Sequence, residues 1–346
     1  MAMQVGRVFS DDIAIDLGTA NTLVYVVGRG VIIDEPSAVA VKVRHGTREV
    51  LAVGLKAKAL PGRTPENIEI VRPLRDGVIA DFIATEEMLR AFIKRTKTML
   101  GFRRPRILIA VPAGATPVEK RAVYETAMSA GARRVMLIEE PVAASLGAGL
   151  PIDDPEGTMV VDIGGGTTDI AVLSLGGVVE ARSLRLAGNA MDDAIVRYVR
   201  RKHQLLIGEQ SAERIKIEAG TAMLTGQPAR NAEVHIRGRD VREGRQKTAV
   251  LGPLDVAEAL QDHIEELAEF IQRTLEELPH ELGRDIVARG IWLTGGGALL
   301  DRLDQELARR LSVKVTVPET PMHCVIKGTA MVLEDLANRE HLLIKP

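Results

Sequence analysis

Strand-like and helix-like patterns of apolar residues alternate along the whole chain. Short apolar runs at Ile13–Asp16 and Met159–Asp162 predict buried strands. Each run leads through a Gly-rich turn into a second apolar run, at Thr22–Val27 and Asp169–Leu175. Between them lie longer segments in which apolar residues recur every three or four positions, as on one face of a helix. This alternation is typical of an α/β protein.

Several helices can be placed from their ends and their apolar faces. Thr116–Glu119 has the form of a capping box with proline at the first helical position, and Gly131 marks the end of that helix. Ala257–Leu278 predicts a strongly amphipathic helix that ends before a proline, and Thr85–Met99 predicts another. The stretch Thr225–Gly252 mixes glycine, arginine and short alternating runs, which favours a small peripheral insertion.

The two strand–turn–strand segments follow one plan. The residues DLGTANT from Asp16 align with DIGGGTT from Asp162, and these starting points lie 146 residues apart, about one domain length. We interpret this as an internal duplication that produces two similar domains, each presenting one Gly-rich hairpin. The alternative is coincidence, because glycine is common in turns.

Composition narrows the possible classes of protein. The 346 residues suggest about two domains, each with its own core. Lys plus Arg number 45 and Asp plus Glu 47, a net charge of −2 that argues against a surface built for nucleic acid. The single cysteine, Cys324, excludes an internal disulfide and favours a reducing compartment. With no signal-like N-terminus and no apolar run of roughly 18 residues, we expect a cytoplasmic protein.

Both Gly-rich turns carry residues that suit phosphate binding. A strand, a glycine turn and a second strand can direct several backbone N–H groups at one point, and glycine lets the backbone approach closely. Gly18–Asn21 and Gly164–Thr167 have this form, and each follows an aspartate, Asp16 or Asp162, at the end of an apolar strand. Holding a hydrated Mg²⁺ against the phosphates would offset the cost of burying these carboxylates. The alternative is that the aspartates only cap the turns.

A third glycine turn follows the predicted strand Ile291–Thr294. Gly295–Gly297 leads into a predicted helix over Ala298–Leu311, although such a turn is equally typical of strand–helix packing. The chain lacks both the P-loop and the dinucleotide fingerprint. A nucleotide clamped between the two hairpins is therefore the remaining interpretation for phosphate binding.

Five ordered motifs resemble those of the actin, sugar-kinase and heat-shock chaperone ATPase superfamily, and they cover nearly the whole chain. They are DLGTANT from Asp16, EPVAA from Glu140, DIGGGTTD from Asp162, LTGGGA from Leu293 and KGTA from Lys327. Longer segments, among them RPLRDGVIADF and GARRVMLIEEPVAASLGAGLP, most resemble the MreB family of bacterial actins.

The resemblance implies an actin-like fold of two duplicated ribonuclease-H-like α/β domains. A nucleotide cleft would lie between them, and each domain would carry a smaller peripheral subdomain. The implied boundaries are 1–32, 76–145 and 321–346 for subdomain IA, 33–75 for IB, 146–184 and 250–320 for IIA, and 185–249 for IIB.

The resemblance also implies roles for individual residues. The phosphates of ATP would be held by Gly18, Thr19, Ala20, Asn21, Gly164, Gly165, Gly166 and Thr167. Asp16 and Asp162 would hold Mg²⁺ through water. Glu140 would polarise the attacking water with help from Thr167, since phosphoryl transfer asks mainly for positioning and charge neutralisation. From the residues alone, the favoured interpretation of Glu140 is a surface carboxylate or a helix-start charge.

The adenosine would be contacted from two sides. The implied residues are Glu213, Lys216, Gly295, Gly296, Gly297 and Ala298. Glu213 and Lys216 share one helix face at this spacing, so an ordinary ion pair between them is the alternative.

The stretch from Lys94 to Arg106 predicts a membrane contact. It carries six basic residues and no acid, around the apolar Met99, Leu100 and Phe102. An apolar tip ringed by positive charge suits the anionic cytoplasmic leaflet, and MreB-like proteins bind membranes through a hydrophobic loop in this region. The alternative is that Leu100 and Phe102 fold into the core while the arginines face solvent.

The implied function is that of an ATP-dependent, membrane-associated bacterial actin, which polymerises into filaments and organises cell-wall synthesis to maintain rod shape. The implied partners are further copies of the chain, joined head-to-tail in paired protofilaments, the cytoplasmic membrane, and membrane proteins of cell-wall elongation. The implied location is peripheral, at the inner face of the plasma membrane. The alternative is a small-molecule, sugar-type kinase, which would need a catalytic aspartate that the sequence does not clearly offer.

Overall fold

The computed structural model describes residues 12–44, 47–60, 67–96, 104–225 and 233–345. Strands of the first half of the chain are Ile13–Leu17 (β1), Asn21–Val26 (β2), Gly30–Pro36 (β3), Val39–Arg44 (β4), Thr47–Val53 (β5), Ile68–Val71 (β6), Leu74–Arg75 (β7), Val78–Ile79 (β8), Arg106–Val111 (β9) and Arg134–Glu139 (β10). Its helices are Leu55–Lys58 (α1), Phe82–Thr96 (α2), Pro117–Ser129 (α3) and Glu140–Gly147 (α4).

The second half of the chain continues the same mixture. Its strands are Thr158–Ile163 (β11), Thr168–Ser174 (β12), Gly177–Leu184 (β13), Leu205–Leu206 (β14), Val234–Asp240 (β15), Gln246–Leu251 (β16), Ile291–Thr294 (β17), Val315–Thr316 (β18) and Leu343–Ile344 (β19). Its helices are Gly188–His203 (α5), Glu209–Ala219 (α6), Pro253–Glu277 (α7), His280–Arg289 (α8), Leu303–Leu311 (α9), Cys324–Glu334 (α10) and Leu336–Arg339 (α11).

The two main sheets repeat one arrangement. One runs in the order β19-β10-β9-β1-β2-β3 and the other in the order β13-β12-β11-β17-β18. In each, an aspartate-bearing strand pairs antiparallel with the next strand and parallel with a later one, β9 or β17. Asp16 lies opposite Leu23 and Asp162 opposite Asp169, at equivalent register positions. The topology thus agrees with the predicted duplication.

Smaller sheets accompany the main ones. β5-β4-β6 forms one, and β14-β15-β16 forms another where the sequence suggested a peripheral insertion. These sheets fall in or next to the segments 33–75 and 185–249 expected for the peripheral subdomains. The subdomain boundaries themselves stay a prediction.

Helices α4 and α10 pack against each other between the two main sheets. A single apolar cluster contains Leu108 and Ile138 from the first sheet, Val160 and Leu173 from the second, and residues of both helices. The backbones of the two helices are in contact at Gly328. A methyl group on this residue would collide with the Ala143 carbonyl, so the close contact requires glycine. Gly328 of the KGTA motif therefore allows the close packing of α10 on α4 that joins the two halves.

Of two local predictions, the structure confirms one and contradicts part of the other. The capping box is confirmed: Thr116 N donates to the Glu119 carboxylate at 2.7 Å, and Glu119 N to Thr116 Oγ1 at 3.3 Å. The predicted helix over Ala298–Leu311 is wrong in its first part. A 3-10 turn covers Gly296–Leu299, and α9 starts only at Leu303 because Arg302 has the left-handed φ of 58°.

Candidate functional site

The glycine turns after β1 and β11 face each other across the boundary between the two halves. A methyl group placed on Gly165 would lie 2.6 Å from the Ala20 Cβ atom. One placed on Gly166 would lie 2.8 Å from Thr19 Oγ1. Real carbon contacts need about 3.5 Å, so only glycine at these positions lets the turns come this close.

Both turns line one cavity of about 410 Å³, which is within the size range of small-molecule sites. The predicted site residues in its wall are Asp16, Gly18, Thr19, Ala20, Asn21, Glu140, Asp162, Gly164, Gly165, Gly166, Thr167, Glu213, Lys216, Gly295, Gly296 and Gly297. Ala298, in contrast, is buried in the hydrophobic core of the second half. Its neighbours Leu299 and Leu300 line the cavity.

The carboxyl groups of Asp16, Asp162 and Glu140 all line the cavity, at or directly after the ends of β1, β11 and β10. Desolvation, with a contribution from the Asp162 charge, raises the pKa of Asp16 to about 8. Desolvation also raises the pKa of Asp162 to about 7, although the Thr294 hydroxyl donates to its Oδ1 at 2.6 Å and opposes the rise. Desolvation and the Asp169 charge raise the pKa of Glu140 well above its usual range. Near neutral pH, this cluster therefore favours either bound protons or a nearby cation.

This donor set fits a divalent cation that keeps most of its water shell, such as Mg²⁺, which takes few protein ligands. Asp16 and Asp162 project from equivalent strands on either side of the cavity. Within the described parts of the chain, no group of three or more His, Cys, Asp or Glu side chains could enclose a metal ion.

The turn between β7 and β8 also belongs to the site, and the sequence analysis gave it no role. Gly77 N donates to Thr19 Oγ1 at 2.9 Å. A methyl group on Gly166 would lie 2.8 Å from Asp76 Cα, and one on Gly77 would lie 3.1 Å from Thr167 Cγ2. This turn therefore touches both glycine hairpins at once. The sequence indicates this turn through the Asp76-Gly77 pair inside RPLRDGVIADF, because Asp-Gly is a common turn dipeptide.

The N-terminus of α5 is a second contributor that the sequence analysis missed. Gly188 N donates to Gly164 O at 3.1 Å and Asn189 N to Gly165 O at 2.8 Å. Both residues also line the cavity. The positive end of the helix dipole thus lies beside the second hairpin, where it favours an anion.

Helix α6 carries the predicted adenosine contacts. The Glu213 carboxylate accepts hydrogen bonds from Lys58 Nζ at 2.8 and 3.0 Å. Lys216 Nζ contacts Asp192 Oδ1 at 2.8 Å and donates to Gly188 O at 2.8 Å. These two side chains thus pair with other residues, and not with each other. Both line the cavity beside apolar residues that suit a flat ring: Ile217, Leu299, Leu300, Met322 and Val325.

The predicted membrane contact has no structural description. Met99, Leu100 and Phe102 lie in the segment 97–103, outside the described residues. Within the described ranges, none of the helices combines the length and the apolar character that crossing a bilayer requires.

The chain is similar to known proteins along almost its whole length. The sequence pattern of the family described as MreB/Mbl protein matches residues 10–341. The chain belongs to the MreB/Mbl family. It is 50% identical to the cell shape-determining protein MreB of Escherichia coli (strain K12) over 329 residues, which cover 94% of each chain.

Solved structures agree with this membership. MreB5 of Spiroplasma citri bound to AMPPNP matches with a TM-score of 0.89 at 34% identity, covering 96% of this chain and 98% of that one. A chain of the MamK double helical filament shares the fold, with a TM-score of 0.75 at 23% identity, covering 93% of this chain and 99% of that one. The actin-like α/β fold expected from the sequence is confirmed.

Proposed function

We propose that this chain is an actin-like ATPase that assembles into filaments at the inner face of the plasma membrane and organises cell-wall synthesis to maintain rod shape. The observation that carries the proposal is the close approach of the two glycine turns over a cavity lined by carboxyl groups. Binding of AMPPNP by MreB5 and the shape-determining role in the name of the E. coli relative support it.

In this proposal the turns hold the phosphates of ATP through backbone N–H groups from both halves. The first turn contributes Gly18 to Asn21 and the second contributes Gly164 to Thr167, with the N-terminus of α5 beside it. The adenosine lies against α6, near Glu213 and Lys216, and against the turn Gly295–Gly297. Leu299 and Leu300 supply apolar contact there in place of Ala298.

Asp16 and Asp162 would orient the water shell of a bound Mg²⁺, which supplies positive charge against the phosphates. Thr294 holds Asp162 in place through its 2.6 Å hydrogen bond. Because Asp16 and Asp162 come one from each half, binding at this point would hold the halves together.

Glu140 would act on the attacking water. It stands at the first residue of α4, directly after β10, and lines the cavity. Burial raises the pKa of Glu140, which makes its carboxylate a stronger base than an ordinary glutamate. Thr167, buried and in the cavity wall, would orient the same water through its hydroxyl group.

Assembly and membrane binding complete the proposal. Copies of the chain would join head-to-tail, the geometry that yields open filaments, and pair as protofilaments. The apolar residues Met99, Leu100 and Phe102 would contact the cytoplasmic membrane. Membrane proteins of cell-wall elongation would be the further partners.

The test combines sedimentation with release of inorganic phosphate. With ATP and Mg²⁺, we expect the protein to pellet as filaments and to release phosphate. With ATP and EDTA, phosphate release should be lost. If ATP and Mg²⁺ produce neither pelleting nor phosphate, the proposed function is wrong.

A further inference from the structure

Ion pairs also connect the two halves outside the apolar contact of α4 with α10. Lys58, the last residue of α1, pairs with Glu213 on α6 at 2.8 Å. Arg72, directly after β6, pairs with Glu209 on α6 at 2.9 Å. Gln210 Nε2 also donates to Lys58 O at 3.4 Å. The β5-β4-β6 region of the first half is thus tied to one helix of the second.

The carboxylates of the two ion pairs share one face of α6. Glu209 and Glu213 are four residues apart, so they lie one turn apart on the same helix face. Glu213 also lines the main cavity. The bond from Lys58 to Glu213 therefore joins the first half to a residue of the cavity wall in the second half.

The two connections between the halves differ in physical character. At α4 and α10 the contact is apolar and buried, so separating it would expose apolar surface to water. The ion pairs are partly exposed: side-chain exposure is 38% and 32% for Lys58 and Glu213, and 48% and 63% for Arg72 and Glu209. Such pairs are individually weak and are screened by salt. The ion pairs are therefore the easier of the two connections to open.

We propose that Lys58–Glu213 and Arg72–Glu209 form a clasp between the halves beside the cavity, and that its opening limits the release of bound nucleotide. This inference rests on the proposed function, because it assumes that nucleotide occupies the cavity. It adds that exchange is controlled by charge at these positions and by ionic strength.

The experiment measures dissociation of a fluorescent ADP analogue, mant-ADP, loaded with Mg²⁺ and displaced by excess ADP in stopped flow. Arg72→Glu reverses one charge, and we expect release to be about 5-fold faster. At 1.4 kcal/mol per tenfold, that is about 1 kcal/mol. The double variant Arg72→Glu with Glu209→Arg should restore the original rate. Lys58→Gln should also speed release.

A matched control lies within α7. Arg273 and Glu269 form an exposed ion pair at 2.9 Å that does not cross the cavity. Arg273→Gln should leave the rate unchanged. Raising the ionic strength from about 0.05 M to about 0.5 M, which shortens the screening length several-fold, should speed release in the unaltered protein. It should have much less effect in a variant with both Lys58→Gln and Arg72→Gln.

The outcomes separate the two proposals. If the unaltered protein does not bind mant-ADP, the proposed nucleotide site is wrong and the clasp is wrong with it. If mant-ADP binds but the charge variants and salt leave its release unchanged, the clasp is wrong and the nucleotide site stands. If Arg72→Glu speeds release and the reversed pair does not restore it, the Arg72–Glu209 pairing does not control exchange.

Discussion

Replacing Gly166 by alanine tests whether the close approach of the two halves matters for nucleotide binding. The added Cβ would lie 2.8 Å from Asp76 Cα and Thr19 Oγ1, and 3.0 Å from Asp76 N. The distance to Asp76 Cα is about 0.7 Å shorter than an ordinary carbon–carbon contact. Rotation of a side chain cannot relieve this, because Asp76 contributes backbone atoms of a turn that Gly77 N ties to Thr19.

Overpacking of this kind costs about 1–3 kcal/mol. If the strain is present in the closed, nucleotide-bound arrangement and is relieved when the turns separate, affinity falls by the same amount. At 1.4 kcal/mol per tenfold, Gly166→Ala should then weaken binding of mant-ATP roughly 5- to 150-fold in a fluorescence titration with Mg²⁺.

A matched control is Gly283→Ala in helix α8, where an added Cβ meets nothing within 4 Å. It should bind mant-ATP as tightly as the unaltered protein. Circular dichroism establishes that both variants are folded. If folded Gly166→Ala also binds with unchanged affinity, contact between the hairpins does not govern binding.

Other predictions address catalysis, packing and the membrane. Glu140→Ala should retain mant-ATP but slow phosphate release about 10²- to 10⁴-fold; unchanged turnover removes Glu140 from the mechanism. Gly328→Ala should lower the free energy of unfolding by about 1–3 kcal/mol in urea titrations, because its Cβ meets the α4 backbone. Gly283→Ala should not lower it, and equal effects would refute the packing argument. Leu100→Ser with Phe102→Ser should release the protein from anionic vesicles in flotation while ATP binding persists; unchanged flotation would contradict the membrane assignment.

The sequence predicted the hairpins well because their signals are local. The strands on either side of Gly18 and Gly165 follow from short apolar runs, and the glycines follow from turn chemistry. The duplication then placed Asp16 and Asp162 at equivalent strand ends, and the register agrees. The local pattern gave a wrong prediction near Arg302. The apolar spacing there predicts one continuous helix, but the left-handed backbone of Arg302 separates a 3-10 turn from α9.

Long-range partners could not be predicted in the same way. Lys58 and Glu213 are 155 residues apart, and only the assembled halves bring them together. The contact of the Asp76–Gly77 turn with both hairpins likewise depends on how the halves meet, so the local sequence indicates a turn but not a place in the site. Glu213 was assigned to adenosine, and its bond to Lys58 gives it a structural role that no helical spacing indicates.

The most direct test of the account is a structure of this protein with AMPPNP and Mg²⁺. We expect phosphate oxygens within hydrogen-bonding distance, about 2.7–3.2 Å, of backbone N–H groups from both Gly18–Asn21 and Gly164–Thr167. A nucleotide held by one hairpin alone, or bound outside the cavity, would contradict the claim that the two halves grip it together.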